Sequence, residues 1–157
     1  MAVRMFAAIE IGSFALELGI YEISEKTGIR CVDHIRHVIA LGSDTFSEGK
    51  ISYGLADEMC SVLEILRGYE TYRVREYRAY GTTAMREAKN SQIILDQICV
   101  RTGLKVRIIS NSEQRFISYK AVAAKTGEFN RIIQKGTAIV DVALEAPRFL
   151  CLIRILW

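Results

Sequence analysis

Hydrophobic periodicity in this chain changes once, near Ile51, and that change limits the folds open to it. Before Ile51 apolar residues come as a run or in alternation. "VRMFAAIEI" at 3–11 is a nearly continuous apolar run halted by Gly12 and Ser13, the pattern of a strand buried on both faces. "ALELGIYEI" alternates as a second strand would, and "IRCVDHIRHVIAL" is a third, closed by Gly42. Beyond Ile51 the spacing lengthens: Leu55, Met59, Val62, Leu63, Leu66 and Tyr69 share one helical face, with Glu58, Glu64 and Arg67 off it. At ~3.6 residues per turn this is a helix of about five turns.

Strands and helices then alternate. "VREYRAYGT" reads as a strand ending at Gly81, and "TAMREAKN" and "SQIILDQICVRTG" as helices, the second closed by Gly103. "KVRIIS" is the next strand, and "NSEQRFISYKAVAAKTG" a helix capped by Asn111 or Ser112 and ended by Gly127. A short connecting helix leads into the strand "TAIVDV". An opening meander followed by alternation implies an α/β chain with a mixed sheet and helices on its faces. This order resembles the ribonuclease-H-like domains of the actin, sugar-kinase and heat-shock ATPase superfamily, where turns after several strands meet a phosphate.

At 157 residues the chain suits one domain better than two. Its net charge of +3, from 21 basic and 18 acidic residues scattered along the whole length, argues against a nucleic-acid partner. No repeat period is visible. No apolar run approaches the ~20 residues of a membrane helix, and the N-terminus lacks a signal-peptide pattern, so the expected location is the cytoplasm, without membrane contact. Cys31, Cys60, Cys99 and Cys151 show no paired metal or redox spacing and read as reduced and structural. His34 and His37 lie an odd number of residues apart and would face opposite sides of a strand, which argues against a shared metal.

Four places carry residues suited to chemistry. Gly12 and Ser13 follow Glu10 at the end of the first strand, where glycine lets backbone N–H groups approach a phosphate; a hairpin turn explains them equally. Thr82, Thr83 and Arg86 open a helix after a strand, which fits an oxyanion site or an ordinary capped helix with Arg86 paired to a nearby glutamate. Glu113 in the first turn of a helix suits either a general base or a capping-box acid. Asp141, at the end of an apolar strand, is too costly to bury alone and would hold a metal, a water or a cap.

Taken in order, these segments resemble the exopolyphosphatase / guanosine pentaphosphate phosphohydrolase (Ppx/GppA) family from about residue 6 to residue 142. "AAIEIGSFA" is similar to its AxDxGSNS, "LGSDTFSEGKIS" to LGEGLxxxGxLS and "YGTTAMREAKN" to GTxxLREAxN. "RTGLKVRIISNSEQR" is similar to RTGLxVxIISGxEEAR, with a loop one residue shorter, and "AIVDVALEA" to LVVDIGGGS. The resemblance implies hydrolysis of the terminal phosphate of polyphosphate or guanosine pentaphosphate. Glu113 would be the catalytic base, Gly12, Ser13, Thr82, Thr83 and Arg86 would hold phosphate, and Glu10 and Asp141 would serve Mg²⁺. It also implies a first domain at residues 1–142 whose partner half lies beyond. A non-catalytic polyphosphate or (p)ppGpp-binding module and an actin- or sugar-kinase-like ATPase fragment are the alternatives.

The departures from the family pattern are concentrated in the phosphate loops. Glu10 stands where the family has aspartate, and Phe14 and Ala15 where it has asparagine and serine. After Val142 the expected glycines are replaced by Ala143, Leu144 and Glu145, and residues 143–157 end in the apolar "LCLIRILW". One choice of synonymous codons for Val142 onward, read one base earlier, gives GSGSPQISLFDKDTL, a glycine-serine loop followed by an alternating strand. The expectation is that one base was lost near the codon for Val142 and that 143–157 is out-of-frame translation. Such a tail, never selected for solvation, would add to a sheet edge, pair with another copy as a homodimer, or stay disordered. The fragment itself is expected to have little or no activity.

Overall fold

The computed structural model describes residues 3–26, 28–66, 72–125, 137–142 and 147–152. It divides into two units, Met1–Ile109 and Ser110–Trp157. The first contains β1 (Arg4–Ile11), β2 (Ala15–Ser24), β3 (Gly28–Val38), α1 (Leu41–Glu48), α2 (Tyr53–Leu66), β4 (Glu76–Gly81), α3 (Thr83–Glu87), α4 (Ser91–Thr102) and β5 (Val106–Ile108). The second contains α5 (Asn111–Lys125), β6 (Thr137–Val142) and β7 (Pro147–Leu152). The expected connecting helix before β6, and Gly127, lie outside the described residues.

The sheet of the first unit has the order β3-β2-β1-β4-β5, with β1 antiparallel to β2 and parallel to β4. It is therefore the mixed sheet that the meander and the later alternation imply. Alternation along β1 turns Ala7, Ile9 and Ile11 into the core, each at most 1% exposed, while Phe6 and Ala8 are half-buried and Glu10 is exposed. The continuous apolar run had implied burial on both faces. In the described structure one face is packed, because α2, α3 and α4 bury Met59, Leu63, Met85, Ile94 and Ile98 in one cluster with the core side of β1 and β2.

Helix α2 buries Ala56, Met59, Cys60, Leu63 and Leu66; of the stripe read from the spacing, Met59, Leu63 and Leu66 are buried and Leu55 and Val62 partly so, while Tyr69 lies outside the described residues. Arg101 of α4 ties its outer surface with contacts to Asp57 at 3.0 Å and Glu64 at 3.2 Å. Helix α4 ends as expected at Gly103, left-handed at φ +71°, whose N–H donates to the Cys99 carbonyl.

No local pattern marks α1, since "LGSDTFSEG" has the composition of a loop. Tertiary contact makes it a helix: Leu41, Gly42 and Thr45 are buried, and the Gly42 N–H donates to the Ser13 carbonyl at 2.8 Å. Gly42 thus belongs to a helix and does not close the third strand. A Cβ there would lie 3.0 Å from the Ser13 Cβ, so the approach of helix to turn requires a glycine.

Asn90 clamps the start of the region before α2. Its Oδ1 accepts from the Ile51 N–H at 3.0 Å and its Nδ2 donates to the Ile51 carbonyl at 2.8 Å. Replacing it leaves both backbone groups of a buried residue without these partners. Asn90→Ala is expected to lower unfolding free energy by about 2–4 kcal/mol, measured by denaturant titration. A loss under about 0.5 kcal/mol, the range of ordinary surface changes, would show that water replaces the clamp.

Candidate active site

Strands β1 and β4 run parallel as neighbours, with Ile11 opposite Gly81, so the turns that follow them leave the same end of the sheet. The chain reaches β2 on one side of β1 and later returns to β4 on the other, which makes the carboxyl ends of β1 and β4 a topological switch point. Gly12 and Ser13 from one turn and Thr82 and Thr83 from the other are thereby brought together. Ser13, 8% exposed, accepts a hydrogen bond from the Ala84 N–H at 3.2 Å, which joins the hairpin to the start of α3.

Several of the expected phosphate donors already bond to the protein. The Gly12 N–H donates to the Ala15 carbonyl at 2.9 Å, and a Cβ on Gly12 would lie 2.9 Å from that same oxygen, so the glycine is required by the tight hairpin itself. The N–H and hydroxyl of Thr82, which is 4% exposed, both donate to the Ile11 carbonyl, at 3.1 and 3.2 Å. Thr82 therefore holds the strand ends together. The Ser13 oxygen acts as acceptor toward Ala84, and its own proton can still be donated.

Arg86 is folded back onto the same scaffold. Its Nη1 donates to the Ile109 carbonyl at 2.8 Å, its Nη2 to Thr83 Oγ1 at 3.1 Å, and its Nε lies 3.5 Å from Glu87 Oε1. The bond to Ile109 joins α3 to the segment after β5, and Glu87 is a nearby glutamate of the kind the plainer reading of an ordinary capped helix expects. At 17% exposure the side chain retains a limited solvent face. Glu10 is exposed, one residue before the end of β1.

In the second unit, Glu113 is the acid of a capping box. Its Oε2 accepts from the Ser110 N–H at 3.0 Å, and the Ser110 hydroxyl accepts from the Glu113 N–H at 3.1 Å. Ser110 thus takes the capping role expected of Asn111 or Ser112. The S-x-x-E spacing from Ser110 to Glu113 was the overlooked signal. One carboxylate oxygen is fixed by this bond, which orients the group. Asp141 lies one residue before the end of β6, opposite Arg148 of β7.

The two hairpins share a frame. Glu10 precedes the last paired residue of β1, and residues 12–15 join Ile11 to its partner Leu16. Asp141 likewise precedes the last paired residue of β6, and residues 143–146 join Val142 to its partner Pro147. An acid followed by a four-residue connection therefore occurs twice, once with Gly-Ser and once without glycine.

Metal-ligand clusters of three or more His, Cys, Asp or Glu side chains do not occur among the described residues. His34 and His37 contact separate carboxylates, Glu17 at 3.3 Å and Glu58 at 3.4 Å. As a hard oxygen donor at the sheet end, Glu10 still fits Mg²⁺, which commonly takes one or two carboxylates together with substrate phosphates. Among the described residues no helix is long and apolar enough to cross a membrane.

The sequence profile of the Ppx/GppA phosphatase family matches residues 19–136. The chain belongs to this family. Its fold is similar to a solved Aquifex aeolicus Ppx/GppA family member at TM-score 0.79, with 21% identity over 97% of this chain and 52% of that one. A second structure of an Aquifex aeolicus PPX-GPPA enzyme gives 0.83, with 22% identity over 96% and 48%. An exopolyphosphatase from Cytophaga hutchinsonii also gives 0.83, with 19% identity over 98% and 49%. The chain thus spans about half the length of these Ppx/GppA structures. No curated protein matches it. These Ppx/GppA likenesses establish the actin-like, ribonuclease-H-like fold that the order of elements implied.

Proposed function

We propose that this chain is the N-terminal domain, residues 1–142, of a phosphoanhydride hydrolase that releases the terminal phosphate of polyphosphate or guanosine pentaphosphate in the cytoplasm. The observation that carries the proposal is the joining of the Gly12–Ser13 turn to the Thr82–Arg86 segment at the carboxyl ends of two parallel strands. Here Ser13 would donate its hydroxyl proton to a phosphate oxygen. Arg86 would turn part of its guanidinium from Thr83 to the substrate while the Ile109 carbonyl holds the rest in place. Glu113, oriented by Ser110, would accept a proton from the attacking water. Glu10 and Asp141 would hold Mg²⁺, which when bound neutralises charge on the phosphate oxygens. As translated, residues 143–157 leave the second phosphate loop without glycine and place the Glu145 carboxylate beside it in sequence, so this chain is expected to turn over little or no substrate.

A second reading, a non-catalytic sensor of polyphosphate or (p)ppGpp, is favoured by a different observation. Phe14, 40% exposed, occupies the loop tip under the Arg36 guanidinium, 5.8 Å from the ring centroid. It puts an aromatic side chain where the family has a polar one. Glu113→Gln in a frame-restored chain separates the two. Loss of about 10²-fold or more in rate with unchanged binding supports the hydrolase, whereas binding with no rate dependent on Glu113 supports the sensor.

A further inference from the structure

The face of the first sheet turned away from the core carries a row of side chains that crosses all five strands in register: Arg36, Glu17, Glu10, Tyr80 and Arg107. At the β4–β5 end of this row lies a groove of about 560 Å³ lined by Arg75, Glu76, Arg78, Tyr80, Lys105 and Arg107 among others. Four cations stand there against one carboxylate, although the whole chain carries only +3. Along β4 the residues that share this face, Glu76, Arg78 and Tyr80, recur at about 6.6 Å, from ~3.3 Å per residue. The positive charge therefore forms a strip leading back from the residue in register with Glu10, a shape for a linear anion and not for one phosphate.

We propose that this groove is an accessory site that holds the distal part of a linear polyphosphate chain. The choice of polyphosphate rests on the function proposed above, while the groove rests on its own charge and geometry. A single-stranded nucleic acid gains much of its hold from bases stacked on open aromatic faces. The Arg107 guanidinium lies 5.1 Å from the Tyr80 ring centroid, over its face, and so occupies the ring a base would use. A chain of phosphates asks only for closely spaced cations.

The test is titration of long-chain polyphosphate into the 157-residue chain at two salt concentrations. The groove variant is Arg78→Gln with Arg107→Gln. The control is Lys26→Gln with Arg30→Gln, an equal charge change at exposed positions at the far end of the sheet. The groove variant is expected to bind about tenfold or more weakly, with the slope of log affinity on log salt shallower by about 1 to 2, and the control to bind within about twofold of wild type. Unchanged affinity in the groove variant, or an equal loss in the control, overturns the accessory site. Neither touches the catalytic reading, which is judged by turnover of the frame-restored chain. Single-stranded DNA bound as tightly as polyphosphate overturns the choice of ligand.

Discussion

Restoring one base near the codon for Val142, so that Asp141 and Val142 are followed by GSGSPQISLFDKDTL and translation runs on, is expected to raise Mg²⁺-dependent phosphate release about 10²-fold or more above that of the present chain. The scale is that of removing one preorganised donor from an oxyanion site, and here a whole loop is changed. The hairpin register supports the restoration. GSGS has the same length, four residues, as the connection 143–146, and with the codons of that re-reading proline stands at 147 in both frames, which would let β6 and β7 keep their pairing. Glycines at this connection would remove the Cβ atoms that keep an anion from the backbone N–H groups, as well as the Glu145 carboxylate that repels it. The strand after the turn would also regain the alternation that "PRFLCL" lacks. Two results would sink the proposal: gene codons that cannot be re-read into a glycine loop, or a restored chain that releases no phosphate.

Leu63→Ala is expected to destabilise the first unit by about 2–5 kcal/mol, a large share of the roughly 5–15 kcal/mol of an ordinary domain. Leu63 is 0% exposed and lies in the cluster where α2 meets α4 and the core side of the sheet. Truncation would remove buried methyl groups and leave a cavity in packing that cannot fully collapse. Two residues along the same helix, Ile65 is 78% exposed, and Ile65→Ala is expected to change stability by no more than about 0.5 kcal/mol. Denaturant unfolding of the two variants side by side tests the orientation of α2. Equal effects would show that the helix does not bury the stripe described.

Much of the fold was legible because it depends on local pattern. The α2 stripe, the end of α4 at Gly103 and the strand ending at Gly81 follow from period and from backbone preference near each residue. Helix α1 was not legible, since its residues favour a loop and become helical against Ser13, 29 positions before Gly42 in the chain (42 − 13). The capping role of Glu113 was legible as a type, but the partner was misplaced because Ser110, Asn111 and Ser112 are all good caps and only the backbone path selects among them.

By itself the sequence determined the order of β1 to β6 and of the helices other than α1, the candidate residues for meeting a phosphate and the place where the family pattern breaks off. Only the tertiary structure decided which of those residues already have partners. Thr82 donates to the carbonyl of Ile11, 71 residues away, and Arg86 to that of Ile109, 23 residues away. The partners are backbone oxygens, which every residue possesses. No residue type announces them, and the fold alone brings a particular carbonyl within reach.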